Sequence, residues 1–449
     1  MLVEDRVEIE EALARLVTVV ERSPADETEI VWTESRGEWV EVGDGGEDGR
    51  GRAGRHSVEV RVWERGRRGF HRTGARTVGE LENAVRLALG QARLEAPGPG
   101  LPLAPPGSPD EPEWELYDPE VAGLEPAAAT GLLASGREEG ERLRLDWWEQ
   151  RLAVANSRGL ARAERTTGVT LGAEHGQGPG RGTAAGSART LAGLAAPAIL
   201  GRARERAGAA GAAADATSAA GAAPSGGVPV VLAPEAAAAL VELFGRLALA
   251  ARTFREGTSF LAGSIGRRVL DPALGLRDDG TDPAGLPFPI DHSGHRKRRI
   301  ELVADGVPRT PAADPELAER LGVRPTPHAT GIDDHRPLHL FLAPGSATPD
   351  DLLAAGEGGL WISGLTGAHR TEPVHGRFRA VARGVRRIAS GRLAEPVPDL
   401  VWNGALEPFL ARVAALGAAP LAVASPGAWG ATSAPALAFP AAGDLAPAP

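Results

Sequence analysis

The chain has 449 residues, 42% hydrophobic and 24% charged, which is enough for two or three globular domains with sizeable cores. Its net charge of −10 argues against a general nucleic-acid binder, which needs a basic face to neutralise phosphates. The absence of cysteine excludes disulfides and thiolate zinc sites. The opening MLVEDRVEIEEAL lacks the pattern of a secretory signal, and no run reaches the roughly 18 apolar residues of a spanning helix. These features predict a cytoplasmic protein with no membrane partner.

The first hundred residues predict a helix, a strand meander and a second helix. Apolar residues at helical spacing indicate a helix over residues 4–22. Strand patterns follow at 29–35, 37–42 and 57–65. Thr77 stands three residues before Glu80, which is the pattern of a capping box that opens the second helix. This order of elements is typical of an α+β unit.

Glycine and proline mark the connections of the N-terminal part. The segment GEDGRGRAGR at 46–55 has no helix-opening context and is interpreted as a long hairpin loop. Residues 96–112 are too rich in proline and glycine for regular structure and predict an extended connector. A hairpin is predicted over 143–172, with its turn at 156–159. The glycine-rich stretch 172–187 is interpreted as a loop.

A low-complexity segment, AGAAGAAADATSAAGAAPSGG at 207–227, divides the chain. It fits either an alanine helix or a flexible linker, and it is predicted to mark the boundary between an N-terminal α+β domain (1–206) and a β-rich C-terminal domain (228–449). The C-terminal part is predicted to begin with a strand, Val228–Leu232, and a helix, Glu235–Arg252, that starts just after a proline. Two further helices are predicted near 314–321 and 349–355. The predicted fold class is therefore α+β in two domains.

Seven of the ten histidines lie between His292 and His375, and six of them form three local groups. His335 and His339 in HRPLH have the spacing of two ligands on one helical face. Pro337 lies between them, however, and HLFLAP is strand-like, so the two rings would be some 13 Å apart on a strand and unable to share a metal. The third group, His369 and His375, flanks a proline-containing loop.

The first group lies in DHSGH, a turn-like sequence before an alternating strand. Asp291, His292 and His295 are able to bind metal or to transfer protons, or they form a solvated turn. The basic run Arg296-Lys297-Arg298-Arg299 that follows fits a peptide carboxylate, a solvated face or a subunit contact. No GxSxG, GxxxxGK[ST], HExxH, CxxC or EF-hand pattern occurs. The residues alone therefore define no catalytic, metal or cofactor site.

Several segments in a fixed order resemble the TldD/PmbA family, a group of bacterial and archaeal proteins linked to zinc-dependent peptidases. The most informative is Gly359–Gly417, which contains GLWISGLTGAHRTEPVHGRFRAVARGVRRIASGRLAEPV and VWNGALEPFLARVAALG. VANSRGL, PVVLAPEAAAALVELF, SFLAGSIGRRVLDPAL and LFLAPGSATPDDLL resemble earlier family elements. LPFPIDHSGHRKRRIELVADGVPR occupies the place of the family's acidic "DDEG" segment and departs from it, as does the tail SAPALAFPAAGDLAPAP.

The resemblance implies a two-domain TldD/PmbA-like fold and a role beside a zinc enzyme. TldD-type members hold zinc on a His-Glu-x-x-x-His helix, and here that place is taken by Ala233–Ala239, which offers no imidazole. The chain thus resembles the PmbA/TldE type, whose TldD-like partner supplies the zinc. The resemblance implies a non-catalytic subunit, without a cofactor of its own, that shapes the chamber in which unfolded peptides are degraded or trimmed. If no TldD-like partner exists, the chain is expected to form a homodimer.

Two other functions stay open from the residues. One is a stand-alone hydrolase that uses the C-terminal histidines, with Asp291, His292 and His295 as the leading group. The other is a binding or scaffold protein with no connection to peptidases, which the acidic composition permits.

Overall fold

The computed structural model describes residues 8–98, 100–106, 115–176, 181–214, 227–331, 334–372, 376–424, 427–441 and 443–447. The N-terminal part contains one antiparallel sheet with helices on one face. Its six strands have the order β3-β2-β1-β4-β5-β6. The elements are α1 (Ile9–Glu21), β1 (Glu27–Gly43), β2 (Gly46–Glu64), β3 (Arg67–Thr73), α2 (Val78–Ala92), α3 (Pro119–Ala122), α4 (Pro126–Gly136), β4 (Glu141–Asn156), β5 (Ala161–His175), β6 (Gly182–Ala188) and α5 (Ala196–Ala214).

Local sequence signals account for several of these elements. The capping box at the start of α2 is confirmed, since the Thr77 side chain accepts from the backbone N–H of Glu80 and the Glu80 carboxylate accepts from that of Thr77. The hairpin of β4 and β5 is confirmed as well. Its turn is held by Asn156, whose side-chain oxygen accepts from the backbone N–H of Arg158 and Leu160.

Other predictions for this part are wrong. The two predicted strands at 29–35 and 37–42 are one strand, β1. Residues 46–55, interpreted as a loop, belong to β2, and the predicted loop at 172–187 contains the end of β5 and most of β6. Helices α3 and α4 were not predicted, and of α5 only the end, residues 207–214, falls in a segment for which a helix was one alternative.

The two faces of the N-terminal sheet have different roles. One face is covered by two groups of helices: α1 and α2 bury Leu16 and Leu81 against it, and α3, α4 and α5 bury Leu133 and Ile199 further along. The opposite face packs on the C-terminal part. The buried contacts there include Val154 with Phe288 and Ile290, and Trp148 with Leu286. This second face is called the inner face below.

The C-terminal part is built mainly from short strands. It contains β7 (Val230–Leu232), α6 (Pro234–Ala248), α7 (Ala251–Arg255), β8 (Leu276–Asp278), β9 (Ile300–Ala304), β10 (Val307–Pro308), α8 (Pro315–Leu321), β11 (Ala329–Gly331), β12 (Asp334–His335), β13 (Leu340–Leu342), α9 (Pro349–Ala355), β14 (Leu360–Arg370), β15 (Arg377–Ala389), β16 (Arg392–Val397), β17 (Leu400–Ala405), α10 (Leu406–Leu410), β18 (Ala415–Leu416), β19 (Leu421–Val423), β20 (Thr432–Ala434), β21 (Leu437–Phe439) and β22 (Asp444–Pro447).

Two larger sheets enclose the C-terminal core. One has the order β10-β9-β8-β13-β20-β19, and the other runs β18-β21-β7-β14-β15-β17-β22 with β16 beside β15. Helix α6 packs between them and is apolar nearly all round, with Leu240, Val241 and Phe244 buried. The predicted helices near 314–321 and 349–355 are confirmed as α8 and α9. The helix predicted over Glu235–Arg252 is divided into α6 and α7.

The α+β fold class predicted from the sequence is confirmed, with a β-rich C-terminal part. The division into domains at 207–227 stays a prediction, because residues 215–226 lie outside the described part. None of the described helices combines the length and the apolar character that crossing a bilayer requires.

Candidate functional site

A cleft of about 540 Å³ lies between the inner face of the N-terminal sheet and the C-terminal part. The sheet contributes side chains from β1, β2 and β4, because residues directly opposite each other in antiparallel strands point to the same face. These are Thr33, Ser35, Arg55, Ser57 and Gln150. The other wall comes from α6, from residues 330–331 and 334–340, and from the segments beside β19 and β20. The lining is polar and carries charges of both signs.

Helix α6 presents Glu242 and Arg246 to this cleft. The two residues are four apart, so they lie on one face of the helix. Arg246 donates from Nη2 to the backbone oxygen of Ala368 on β14, at 3.0 Å. Ala236–Ala238, at the start of the helix, are buried in the core. The helix that resembles the family's zinc helix thus offers the cleft one carboxylate and one guanidinium, a donor set that does not fit a catalytic zinc.

The segment Gly427–Gly430 forms one wall of the cleft and is held from both sides. Gln150 Nε2 donates to the backbone oxygen of Gly427 at 2.6 Å. The Trp429 ring packs against Phe288 and edge-on against His292, with ring centroids 4.9 Å apart in each case. These contacts fix the position of Trp429 where the two parts of the chain meet.

Arg189, which follows β6, joins the two parts. Its guanidinium donates to the backbone oxygens of Thr167 in the N-terminal sheet and of Leu286, Pro287 and Trp429 in the C-terminal part, at 2.9–3.1 Å. It pairs with no carboxylate among the described residues, and burial lowers its pKa to about 9. Four carbonyl dipoles therefore solvate this buried cation.

We expect Arg189→Leu to lower the free energy of unfolding by about 2–3 kcal/mol, because the carbonyls lose a charged donor while staying buried. Urea unfolding followed by tryptophan fluorescence measures the change. The control is Arg181→Leu, since Arg181 also links the two parts, through Asp399 at 3.0 Å, but is partly exposed. That pair is worth about 1 kcal/mol or less. Equal losses for the two variants would contradict the role given to Arg189.

A buried polar cluster lies behind the wall formed by Gly430. Asp278, at the end of β8, accepts through Oδ2 from the backbone N–H of Leu338 and His339, at 2.9 and 2.8 Å. Its Oδ1 faces His328 Nε2 at 3.2 Å and Lys297 Nζ at 3.8 Å. Asp278, Lys297, His328 and His339 are each at most 4% exposed. Lys297 and His328 hold the pKa of Asp278 well below its ordinary value despite burial.

The DHSGH segment is a braced and buried turn. Asp291 Oδ1 accepts from the backbone N–H of Ser293 and His295, both at 2.9 Å, and Oδ2 accepts from Ala329 at 3.1 Å. His295 Nε2 donates to the backbone oxygen of Pro102 at 2.6 Å. The interpretation as a solvated turn is therefore wrong, because Asp291 is only 2% exposed. The Asp291 carboxylate is occupied by backbone donors, and of the three residues only His292 lines the cleft.

The other histidine groups are spread over separate elements. His335 lies in β12, and burial lowers its pKa to about 3. His339 precedes β13 and has a pKa of about 3 for the same reason. His369 is exposed at the end of β14, and His375 lies outside the described residues. Within the described ranges, no group of three His, Asp or Glu side chains has the arrangement of a metal site.

Several residues at this site were missed by sequence reasoning. Gln150, Arg189 and Trp429 belong to distant segments with no shared motif, so only the tertiary fold brings them together. The sequence did contain a signal that Lys297 is unusual. It is the single lysine in a chain with many arginines, yet it was grouped with its basic neighbours as part of one charge run.

Comparisons with known proteins agree with this fold. Residues 225–441 match a family model described as the PmbA/TldA metallopeptidase C-terminal domain. A metalloprotease of Archaeoglobus fulgidus is 31% identical over 185 residues, which are 40% of this chain and 43% of that protein. A metalloprotease of Methanothermobacter thermautotrophicus is 28% identical over 199 residues, 43% of each chain. These alignments span less than half of the relatives' length.

Solved structures extend the similarity to the whole chain. TldE from Thermococcus kodakarensis has a TM-score of 0.74 and 19% identity, covering 97% of this chain and 100% of that one. A Thermotoga maritima protein described as a modulator of a DNA gyrase has a TM-score of 0.78 and 23% identity, covering 98% and 100%. Fold and matched domain define a metallopeptidase-related protein. The match over residues 225–441 fits the TldD/PmbA family.

Proposed function

We propose that the chain is a non-catalytic, PmbA/TldE-like subunit of a zinc peptidase complex. The observation that carries the proposal is the face of α6 that meets the cleft. It presents Glu242 and Arg246, and the start of the helix, Ala233–Ala239, offers no imidazole at the place of the family's His-Glu-x-x-x-His motif. The zinc would then come from a TldD-like partner that carries the His-Glu-x-x-x-His helix. The cytoplasm is the proposed location.

The proposed substrate is an extended or unfolded peptide. The cleft offers a polar wall from the N-terminal sheet and carries both acidic and basic side chains, among them Glu59, Glu242, Arg55 and Arg336. An extended peptide that adds as a strand gains affinity from main-chain hydrogen bonds, which place little demand on its sequence. The chain would wall the chamber and hold the peptide while the partner cleaves it.

The test is metal content and peptidase activity of the purified chain, alone and mixed with a TldD-like protein from the same genome. We expect far less than one zinc per chain and no cleavage by the chain alone. Cleavage should appear in the mixture, together with a complex in size-exclusion chromatography. Within the complex, Arg246→Glu should raise KM for an unfolded peptide, because it reverses a charge in the cleft, whereas Arg412→Glu on an exposed segment should not.

The alternative function is a stand-alone hydrolase, and the same test distinguishes it. If the isolated chain binds zinc stoichiometrically or cleaves peptide, the proposal fails. His292 is then the first residue to replace, because it is the member of the DHSGH group that lines the cleft.

A further inference from the structure

The strand β2 has a long edge that no other strand covers. It pairs with β1 over its whole length, but β3 pairs only with Val58–Glu64. In the part of the chain that the structure describes, no strand pairs with the other side of residues 46–55. These ten residues, called the open edge below, are mostly exposed. At about 3.4 Å per residue the open edge is roughly 34 Å long.

The turn between β2 and β3 shows which backbone groups face outward. Arg65 and Gly66 have φ of 49° and 80°, as in a two-residue type I′ turn, so Glu64 and Arg67 are a hydrogen-bonded pair. Even-numbered residues of β2 therefore direct N–H and C=O away from β1. The register continues without a shift to the tip of the hairpin, near Glu41. Arg50, Arg52 and Gly54 thus present three donors and three acceptors at the open edge.

The sequence of the open edge is unusual for a strand. It contains four glycines and no β-branched residue, and glycine inside a strand often marks close approach of another backbone. Trp39 of β1 lies across Gly49 and Gly51, where a Cβ on Gly51 would be 2.5 Å from the indole nitrogen. The Trp39 ring therefore fills the inner face of the edge at these glycines, so an added strand would meet an aromatic surface there.

The open edge carries three arginines and no carboxylate between Arg50 and Arg55, which favours an acidic occupant there, while Glu47 and Asp48 lie at its hairpin end. Arg50 and Arg52 point to the helix-covered side and Arg55 to the inner face, according to their pairing with β1. Arg52 and Arg55 form no ion pair with a described residue, and Arg50 has only a 3.7 Å contact with Glu47. A second copy is disfavoured, because symmetric pairing centred on Arg50, Gly51 or Arg52 would set arginine opposite arginine.

The open edge leads directly into the cleft. Arg55, at its end, lines the cleft together with the next inner-face residues, Ser57 and Glu59. We propose that the open edge of β2 binds an extended acidic peptide by strand addition and directs it into the cleft. Acidic side chains of the peptide would alternate with larger apolar ones that lie over Gly49, Gly51 and Trp39. This inference rests on the proposed function only in taking such a peptide as the substrate.

The test is fluorescence anisotropy of the full chain, without partner or zinc, with a labelled ten-residue peptide of alternating Glu and Val. A Lys/Val peptide is the comparison, and the overall charge of −10 would favour it if attraction were non-specific. We expect tighter binding of the Glu/Val peptide. Arg50→Glu/Arg52→Glu should weaken it roughly tenfold, as two reversed cross-strand charge pairs on the helix-covered side imply. Arg392→Glu/Arg412→Glu changes the net charge equally at exposed positions and should have no effect.

A backbone change tests strand addition separately from charge. Gly54→Pro removes a backbone N–H that points away from β1 and keeps the hydrogen bonds between β1 and β2. Proline is tolerated at such a position because β2 is an edge strand there. It should weaken peptide binding without lowering the melting temperature, and peptides methylated at alternate backbone nitrogens should lose affinity in the same way. The inference would be overturned if both peptides bound with equal affinity, or if neither Gly54→Pro nor N-methylation changed the affinity. A dimer of the chain that the charge reversal dissociates would also overturn it. An inactive complex with intact acidic-peptide binding would instead reject the proposed function alone.

Discussion

Lowering the pH from 7.5 to 5.5 should reduce the free energy of unfolding by about 4 kcal/mol. Three histidines carry this effect: loss of hydration lowers the pKa of His292, which lines the cleft, to about 4, and that of the buried His335 and His339 to about 3. In the unfolded chain each titrates near 6.5, so each stabilises the unfolded state by about 1.4 kcal/mol per pH unit below that value. Urea titrations at a series of pH values measure the change.

The sign follows from which state binds the proton. Between about pH 6.5 and 4 these histidines are neutral in the folded protein and charged in the unfolded chain, so the unfolded state binds more protons and stability rises with pH. His56 and His328 act in the same direction, because burial lowers the pKa of both. The buried positions are therefore a source of acid sensitivity well above the range in which carboxylates titrate.

Single replacements assign the effect to its residues. His335→Asn and His339→Asn should each flatten the dependence of stability on pH by about one proton between pH 6.5 and 4.5. His369→Asn, at an exposed position of β14, is the matched control and should leave the dependence unchanged. A dependence that neither replacement at a buried position reduces would show that other groups carry it.

Asp278→Ala should destabilise the folded protein by about 3–5 kcal/mol, the usual cost of leaving a buried charge without its partner. The replacement strands Lys297 Nζ, which is otherwise 3.8 Å from the Asp278 carboxylate, and it removes the acceptor of two backbone N–H groups. Urea unfolding at pH 7.5 measures the loss. Because the pKa of Asp278 is lowered in the folded state, its contribution is complete above the ordinary carboxyl value of 3.8 and is lost only below it.

A double-variant cycle tests whether the charges are coupled. Lys297→Met alone leaves Asp278 with His328, whereas Asp278→Asn/Lys297→Met removes both charges and keeps side chains of similar size. We expect the double variant to be less destabilised than the sum of Asp278→Asn and Lys297→Met measured singly, because neither charge is then left alone. Additive losses would mean that Lys297 does not interact with Asp278.

Short-range sequence patterns were sufficient to predict the structural elements that depend only on neighbouring residues. The Thr77–Glu80 capping box and the Asn156 turn are short-range patterns whose partners lie within four residues, and both are in the structure. The absence of histidine from Ala233–Ala239 can also be seen directly in the sequence. The order of the predicted elements gave the α+β class, and the family resemblance added the two-domain TldD/PmbA-like architecture.

Longer-range structure was out of reach because it depends on partners far along the chain. Residues 46–55 have poor strand propensity and become a strand only because β1 pairs with them in register. Burial reversed the interpretation of the DHSGH turn, since Asp291 is covered by residue 329 and by the N-terminal sheet. The cleft itself joins segments more than 300 residues apart, which no local pattern predicts.

The buried position of Lys297 has a consequence for the chemistry of the protein surface. It is the single lysine of the chain and is 4% exposed, so the folded surface has no accessible lysine side chain. Lysine acetylation and isopeptide tagging then have no target on a side chain until the C-terminal core opens. Amine-directed cross-linkers would likewise miss an assembled complex, and its contacts are better mapped through carboxylates or arginines. Acylation of Lys297 would report unfolding rather than accessibility.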